Sequence, residues 1–222
     1  MRGTLLLAPL GVLLAPLGVT AQQPVPERLS GRVDASVIAA VSALADSAAA
    51  RGLPVDPLVE KAIEGGAKAA PSERIVTAVQ AVFARLGRAQ QALQAAIQTA
   101  TPDAIAAGAF ALSAGLQDAH VQDVARACGT LYSVDEALRV AGTLTALGVP
   151  PEETVDLVRQ TLRSGAKERD VLALPGRLQA ELARGATPAQ AAAGLARAAA
   201  ARANTPAQSG VPPRVPPTSR RP

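Results

Sequence analysis

From residue 35 to residue 204 the chain is rich in alanine, and its larger apolar side chains recur at intervals of three and four. Val37, Ile38, Val41 and Leu44 mark one segment, and Val155, Val158 and Leu162 another. This recurrence is the period of a helix with one buried stripe. β-Branched residues are scattered singly and never alternate for long, so strand signals are weak throughout. The expected fold class is all-α. Phe83, Phe110 and Tyr132 are the only aromatic residues, so the core has to be built from many small contacts, with alanine letting backbones approach closely.

The breaks between periodic segments carry helix start and stop chemistry. Ser133-x-x-Glu136 and Thr187-x-x-Gln190 have the pattern of capping boxes. Thr101-Pro102 and Thr187-Pro188 place proline at a first helical position, where its missing N–H costs nothing. The segment GLPVDPLVEKAIEGGAK (Gly52 to Lys68) returns in altered form as GVPPEETVDLVRQTLRSGAK (Gly148 to Lys167). Its glycines are expected to end helices, Gly65-Gly66 and Gly165 among them, with Lys68 or Lys167 near the negative end of the helix dipole. A phosphate-binding loop would require G-x-x-x-x-G-K-[ST] after a strand, and GGAK and SGAK lack both the spacing and the strand.

These signals divide the chain into units opening near Ala35, Ser72, Thr101, Ser133 and Lys167, at intervals of 37, 29, 32 and 34 residues. The expectation is about ten short helices arranged as tandem helical hairpins of roughly 33 residues, a degenerate α-solenoid. A compact alanine-rich bundle of the same helices is the alternative, because unit length alone does not set curvature.

The two ends read differently. Met1 and Arg2 precede an apolar run from Leu5 to Val19, in which LLAPLGV occurs twice, and Val19-Thr20-Ala21 is a small-residue exit. Residues 1–21 are thus expected to be a secretory signal peptide cleaved after Ala21, leaving a secreted or periplasmic chain with no transmembrane segment. Pro9 and Pro16 and the shortness of the run argue against an uncleaved anchor. Residues 22–34 read as a linker, 35–204 as the helical domain, and 205–222 as a disordered, proline- and arginine-rich tail. Residues 22–183 hold 15 basic and 18 acidic side chains, whereas residues 184–222 hold six arginines and no acid. Within the tail, Arg214, Arg220 and Arg221 are candidate contacts to an anionic envelope surface.

Catalytic groups are scarce. Cys128 is the single cysteine and His120 the single histidine, so no internal disulfide can form. Asp118, His120, Asp123 and Cys128 fall in one expected helix, where His120 and Asp123 are close enough to touch. His120 and Cys128, eight residues apart, are separated by about 12 Å along it, too far to share a metal or a proton. The stripe Val121, Val124, Ala125, Cys128 and Leu131 puts the thiol in the core and His120 at its edge. Glu152, Glu153 and Asp156 follow Pro150-Pro151 and suit a first turn as charges favourable to the dipole. Glu60 with Glu64, and Arg159 with Arg163, read as solvated faces. GxSxG, HExxH and CxxC are all absent. With so few rings, sugar clefts and single-stranded nucleic-acid platforms are disfavoured. The expectation is a non-enzymatic protein-interaction scaffold with no cofactor, no metal, no nucleic acid and an unknown protein partner. The alternative is an envelope-associated module held by the arginine-rich tail.

Overall fold

The computed structural model describes residues 23–204. They form helices without strands: α1 (Val25–Leu29), α2 (Ala35–Ala50), α3 (Asp56–Ala67), α4 (Ser72–Gln94), α5 (Pro102–Ala114), α6 (Asp118–Cys128), α7 (Val134–Ala146), α8 (Pro151–Arg163), α9 (Glu168–Leu172), α10 (Leu174–Ala183) and α11 (Pro188–Ala203). Only Ala173 parts α9 from α10. The expected signal peptide and tail, including Arg214, Arg220 and Arg221, lie outside the described residues. Among the described residues no helix is long and apolar enough to cross a membrane.

Helices begin at or one residue after every expected unit start, at Ala35, Ser72, Pro102, Val134 and Glu168. Local chemistry accounts for several helix ends. The Thr101 hydroxyl accepts from the Ala104 N–H at 3.2 Å. Thr187 and Gln190 form the reciprocal box, at 3.3 Å from Gln190 N–H to the Thr187 hydroxyl and 3.1 Å from Thr187 N–H to the Gln190 side chain. Gly52, Gly148 and Gly165 follow helices with φ of +69°, +92° and +68°, where a side chain would be strained.

The core is one continuous cluster running from Leu29 in α1 to Ala196 in α11. Leu58, Leu86, Leu93, Leu138, Leu144 and Leu157 are among its fully buried leucines, with alanine between them. α5 packs most heavily on α7, α8 on α11, and α4 on α5 and α3.

Several details depart from expectation. Residues 22–34 contain α1, whose Leu29 is fully buried and whose Arg28 donates to Asp56 of α3 at 2.6 Å. Gly65 and Gly66 do not end a helix; α3 continues to Ala67, and the left-handed residue is Ala69, at φ +49°. Their glycine identity is a matter of space. A Cβ on Gly66 would lie 2.2 Å from the Arg32 carbonyl oxygen, and one on Gly65 would lie 2.8 Å from Ile75. The second unit, Ser72 to Ala100, contains a single helix of 23 residues instead of two. Ser133 does not cap α7 with its side chain; its hydroxyl is turned instead to donate to the Asp135 carboxylate. Finally, α6 stops at Cys128 and Gly129 turns the chain at φ +55°, leaving Leu131 outside the core and 86% exposed.

Candidate interaction groove

Four helices meet around an open groove of about 360 Å³. On α5, Ala106, Ala109, Phe110 and Ser113 share one face by their spacing of three and four and form its floor. Val82 and Arg85 of α4 bound one side, Pro57, Glu60, Lys61 and Glu64 of α3 another, and Arg139 of α7 the end. Phe110 is 43% exposed, which is unusual because the other large apolar side chains among the described residues are almost all covered. Its ring leans on α7 at Gly142, where a Cβ would stand 2.7 Å from two ring carbons. The glycine therefore seats one side of the ring and leaves the remainder facing the groove.

The charges around this floor are unevenly committed. Glu64 takes hydrogen bonds from Lys61 at 2.8 Å and Lys68 at 2.5 Å, and these lysines hold its carboxyl down at about 2. The Ser113 hydroxyl is spent on the Phe110 carbonyl at 2.7 Å. The Arg85 guanidinium, by contrast, makes no hydrogen bond or ion pair among the described residues. The exposed Arg139 guanidinium acts on Glu136 through its charge alone. Two guanidiniums thus stand beside an exposed aromatic ring, opposed by the exposed Glu60 carboxylate. Such an arrangement suits an anchor that buries apolar surface and brings negative charge to the rim.

The expected histidine region is a separate, structural site. His120 is buried at 7% exposure, deeper than the core edge on which the helical stripe placed it. Its Nδ1 accepts the backbone N–H of Gln117 at 3.1 Å, and Nε2 meets the Glu152 carboxylate at 3.1 Å. An Nδ1 that accepts leaves the proton on Nε2, which donates to Glu152, so both ring nitrogens are engaged in tying the start of α6 to the start of α8. Glu152 is therefore more than a charge at a helix start. Asp123 does not reach His120 but takes Arg126 at 3.1 Å, and Asp118 takes Arg88 at 2.9 Å. The sequence puts Asp118 and His120 two apart, and the helix sends them to different neighbours.

Cys128 is 2% exposed in the core, as its place in the stripe requires, and burial followed by the nearby Asp135 charge pushes its thiol up to about 12. Among the described residues no group of three or more histidine, cysteine or acidic side chains is placed to hold a metal ion. A carboxyl pair that the sequence does not announce joins α7 to α9: Glu136 and Glu168 line one small hollow with Tyr132. One oxygen of Glu136 is shielded and lacks a hydrogen-bond partner. Burial and then the adjoining Glu168 carboxyl raise the Glu136 carboxyl above its ordinary range. Tyr132 closes the same region by donating to the carbonyls of Ala166 and Leu162, at 2.8 and 3.1 Å, at the end of α8.

No protein-family model, curated protein or solved structure matches the chain.

Proposed function

We infer that the chain is a non-enzymatic, exported helical-hairpin scaffold that docks a protein partner in the groove formed by α3, α4, α5 and α7. The observation that carries this reading is Phe110: a ring 43% exposed, seated on Gly142, and flanked by two guanidiniums with no hydrogen bond to another side chain. Aromatic and arginine side chains supply a large share of the energy at protein interfaces, and a groove of about 360 Å³ accommodates one or two anchoring side chains. The stacked-hairpin part of the reading is supported by the packing of α5 on α7 and α6 on α8, equivalent helices of successive units. Stacked hairpins expose extended faces suited to binding. The non-enzymatic part is supported by the engagement of His120 at both nitrogens and the burial of Cys128.

The test is differential capture from an envelope extract. Wild-type protein and the distant variant Arg197→Glu should recover the same partner, and Phe110→Asp and Arg85→Glu should each lose it while keeping their helical circular dichroism. Recovery of that partner by all four proteins would place the interface elsewhere.

A further inference from the structure

On the face formed by α6 and α8, three arginines converge on a second hollow, none of whose residues lines the groove. Arg126 of α6 and Arg159 and Arg163 of α8 line about 230 Å³ of space together with Asp123 and Ala127. Arg159 and Arg163 are four apart and share a helix face. Part of their donor capacity is used within the fold. Arg126 donates to Asp123 at 3.1 Å and to Gln122 at 2.9 Å, and the Nη2 of Arg159 donates to Asp156 at 2.7 Å.

The remaining donors are unspent. The Nε of Arg159 is shielded from solvent and has no acceptor. Arg163 is exposed and makes no hydrogen bond among the described residues, acting on Asp156 through its charge only. Arg126 and Arg163 lie in the last turns of their helices, where positive charge suits the dipole. That explains their presence but not the idle Nε of Arg159 one turn earlier. A shielded guanidinium N–H left without an acceptor is a standing cost that turning the guanidinium onto an incoming oxyanion would remove. Three guanidiniums outnumber the Asp123 carboxylate in the walls and the Asp156 carboxylate behind them, and their several donors suit a tetrahedral oxyanion over a lone carboxylate.

We propose that this hollow binds a phosphate group, inorganic or borne by a phosphomonoester, through Arg159 Nε and Arg163, with Arg126 adding charge. The test follows the arginine Nε–Hε resonances of the full chain by NMR during titration with sodium phosphate, against sodium chloride at matched ionic strength. The Arg159 resonance is expected to shift saturably with phosphate only. Arg163→Ala and Arg159→Lys should each weaken the phosphate midpoint about tenfold, the scale of one lost charge-assisted hydrogen bond. Arg163→Ala removes an exposed side chain, so it keeps the test decisive if Arg159→Lys folds poorly. Co-sedimentation with phosphatidic acid vesicles but not phosphatidylcholine vesicles, lost in Arg163→Ala, would assign the phosphate to a lipid headgroup. Phosphate binding without sedimentation would assign it to a free phosphate. A resonance that moves equally with chloride, or a midpoint unchanged by Arg163→Ala, overturns the proposal.

Discussion

Phe110 on α5 occupies the space that a side chain at position 142 of α7 would fill: a Cβ on Gly142 would stand 2.7 Å from the ring and 3.1 Å from the Ala111 Cα. The most heavily packed helix pair among the described residues is thus shaped around one absent methyl group, and that absence sets how the groove presents its ring.

Gly142→Ala should therefore oppose two terms. Alanine favours the helix by about 1 kcal/mol, and overpacking against the ring costs about 1–3 kcal/mol. The expected outcome in urea denaturation is a net loss of about 1 kcal/mol. In a Phe110→Ala background the ring is gone and only the Ala111 Cα at 3.1 Å still crowds the new methyl, so the same substitution should cost markedly less. A loss of equal size in both backgrounds would show that the ring is not what Gly142 accommodates.

Gly66 and Gly176 make a second comparison, because both lie inside helices but in different surroundings. At Gly66 a Cβ meets the Arg32 carbonyl at 2.2 Å, and backbone yields less readily than a side chain. Gly66→Ala should cost about 3 kcal/mol, the upper end of overpacking penalties. At Gly176 a Cβ meets nothing within 4 Å, and Gly176→Ala should stabilise by about 0.5–1 kcal/mol. Thermal melts of the two variants, moving in opposite directions, check both.

Cys128 links core packing to alkaline stability. Its thiol titrates at about 12 in the folded chain against an ordinary value of 9.0, a raised pKa caused first by burial and then by Asp135. A raised thiol pKa contributes stability that is complete below pH 9.0 and is lost as pH rises from there toward about 12. Wild-type stability should fall over that window more steeply than that of Cys128→Ala, and a thiol reagent should label the native protein only at the rate of opening. Rapid labelling at neutral pH would place the α6 stripe at the surface.

Glu136 and Glu168 predict a loss of the same sign in a more acidic window. Because the Glu136 carboxyl is raised above its ordinary value of 4.5 in the folded chain, the stability it contributes is full below that value and lost as pH rises through the folded one. Glu136→Gln keeps the shape and supplies an N–H donor to Glu168, so it should stabilise the protein at pH 7 and change little at pH 4. Equal effects at the two pH values would mean that the two carboxyl groups do not meet.

The helix starts are legible in the sequence because their chemistry is local. Thr101 and Thr187 cap with atoms three residues away, and the neighbouring prolines block alternatives. What is decided between elements is not legible. The Gly65-Gly66 pair reads as a stop signal, yet its role is to admit the Arg32 carbonyl and Ile75 from other segments. Ser133 has the sequence of a cap, but its hydroxyl turns toward the Asp135 carboxylate and not toward the first backbone N–H groups of α7. Cys128 can be placed from the period of its stripe, whereas Leu131 fails because Gly129 ends that period first. The groove is the least legible of all. Phe110, Arg85 and Arg139 come from three helices, and only their packing makes them neighbours.

The central claim, that the Phe110 groove is where a partner docks, is tested most directly by replacing Phe110 or Leu131 with a photoreactive phenylalanine analogue and irradiating in an envelope extract. Both positions are exposed apolar side chains, at 43% and 86%, so exposure alone predicts labelling from either and favours Leu131. Docking in the groove predicts one discrete crosslinked protein from position 110, abolished by Arg85→Glu, and none from position 131. The same crosslinked protein from both positions, or a crosslink at 110 that persists with Arg85→Glu, would contradict it.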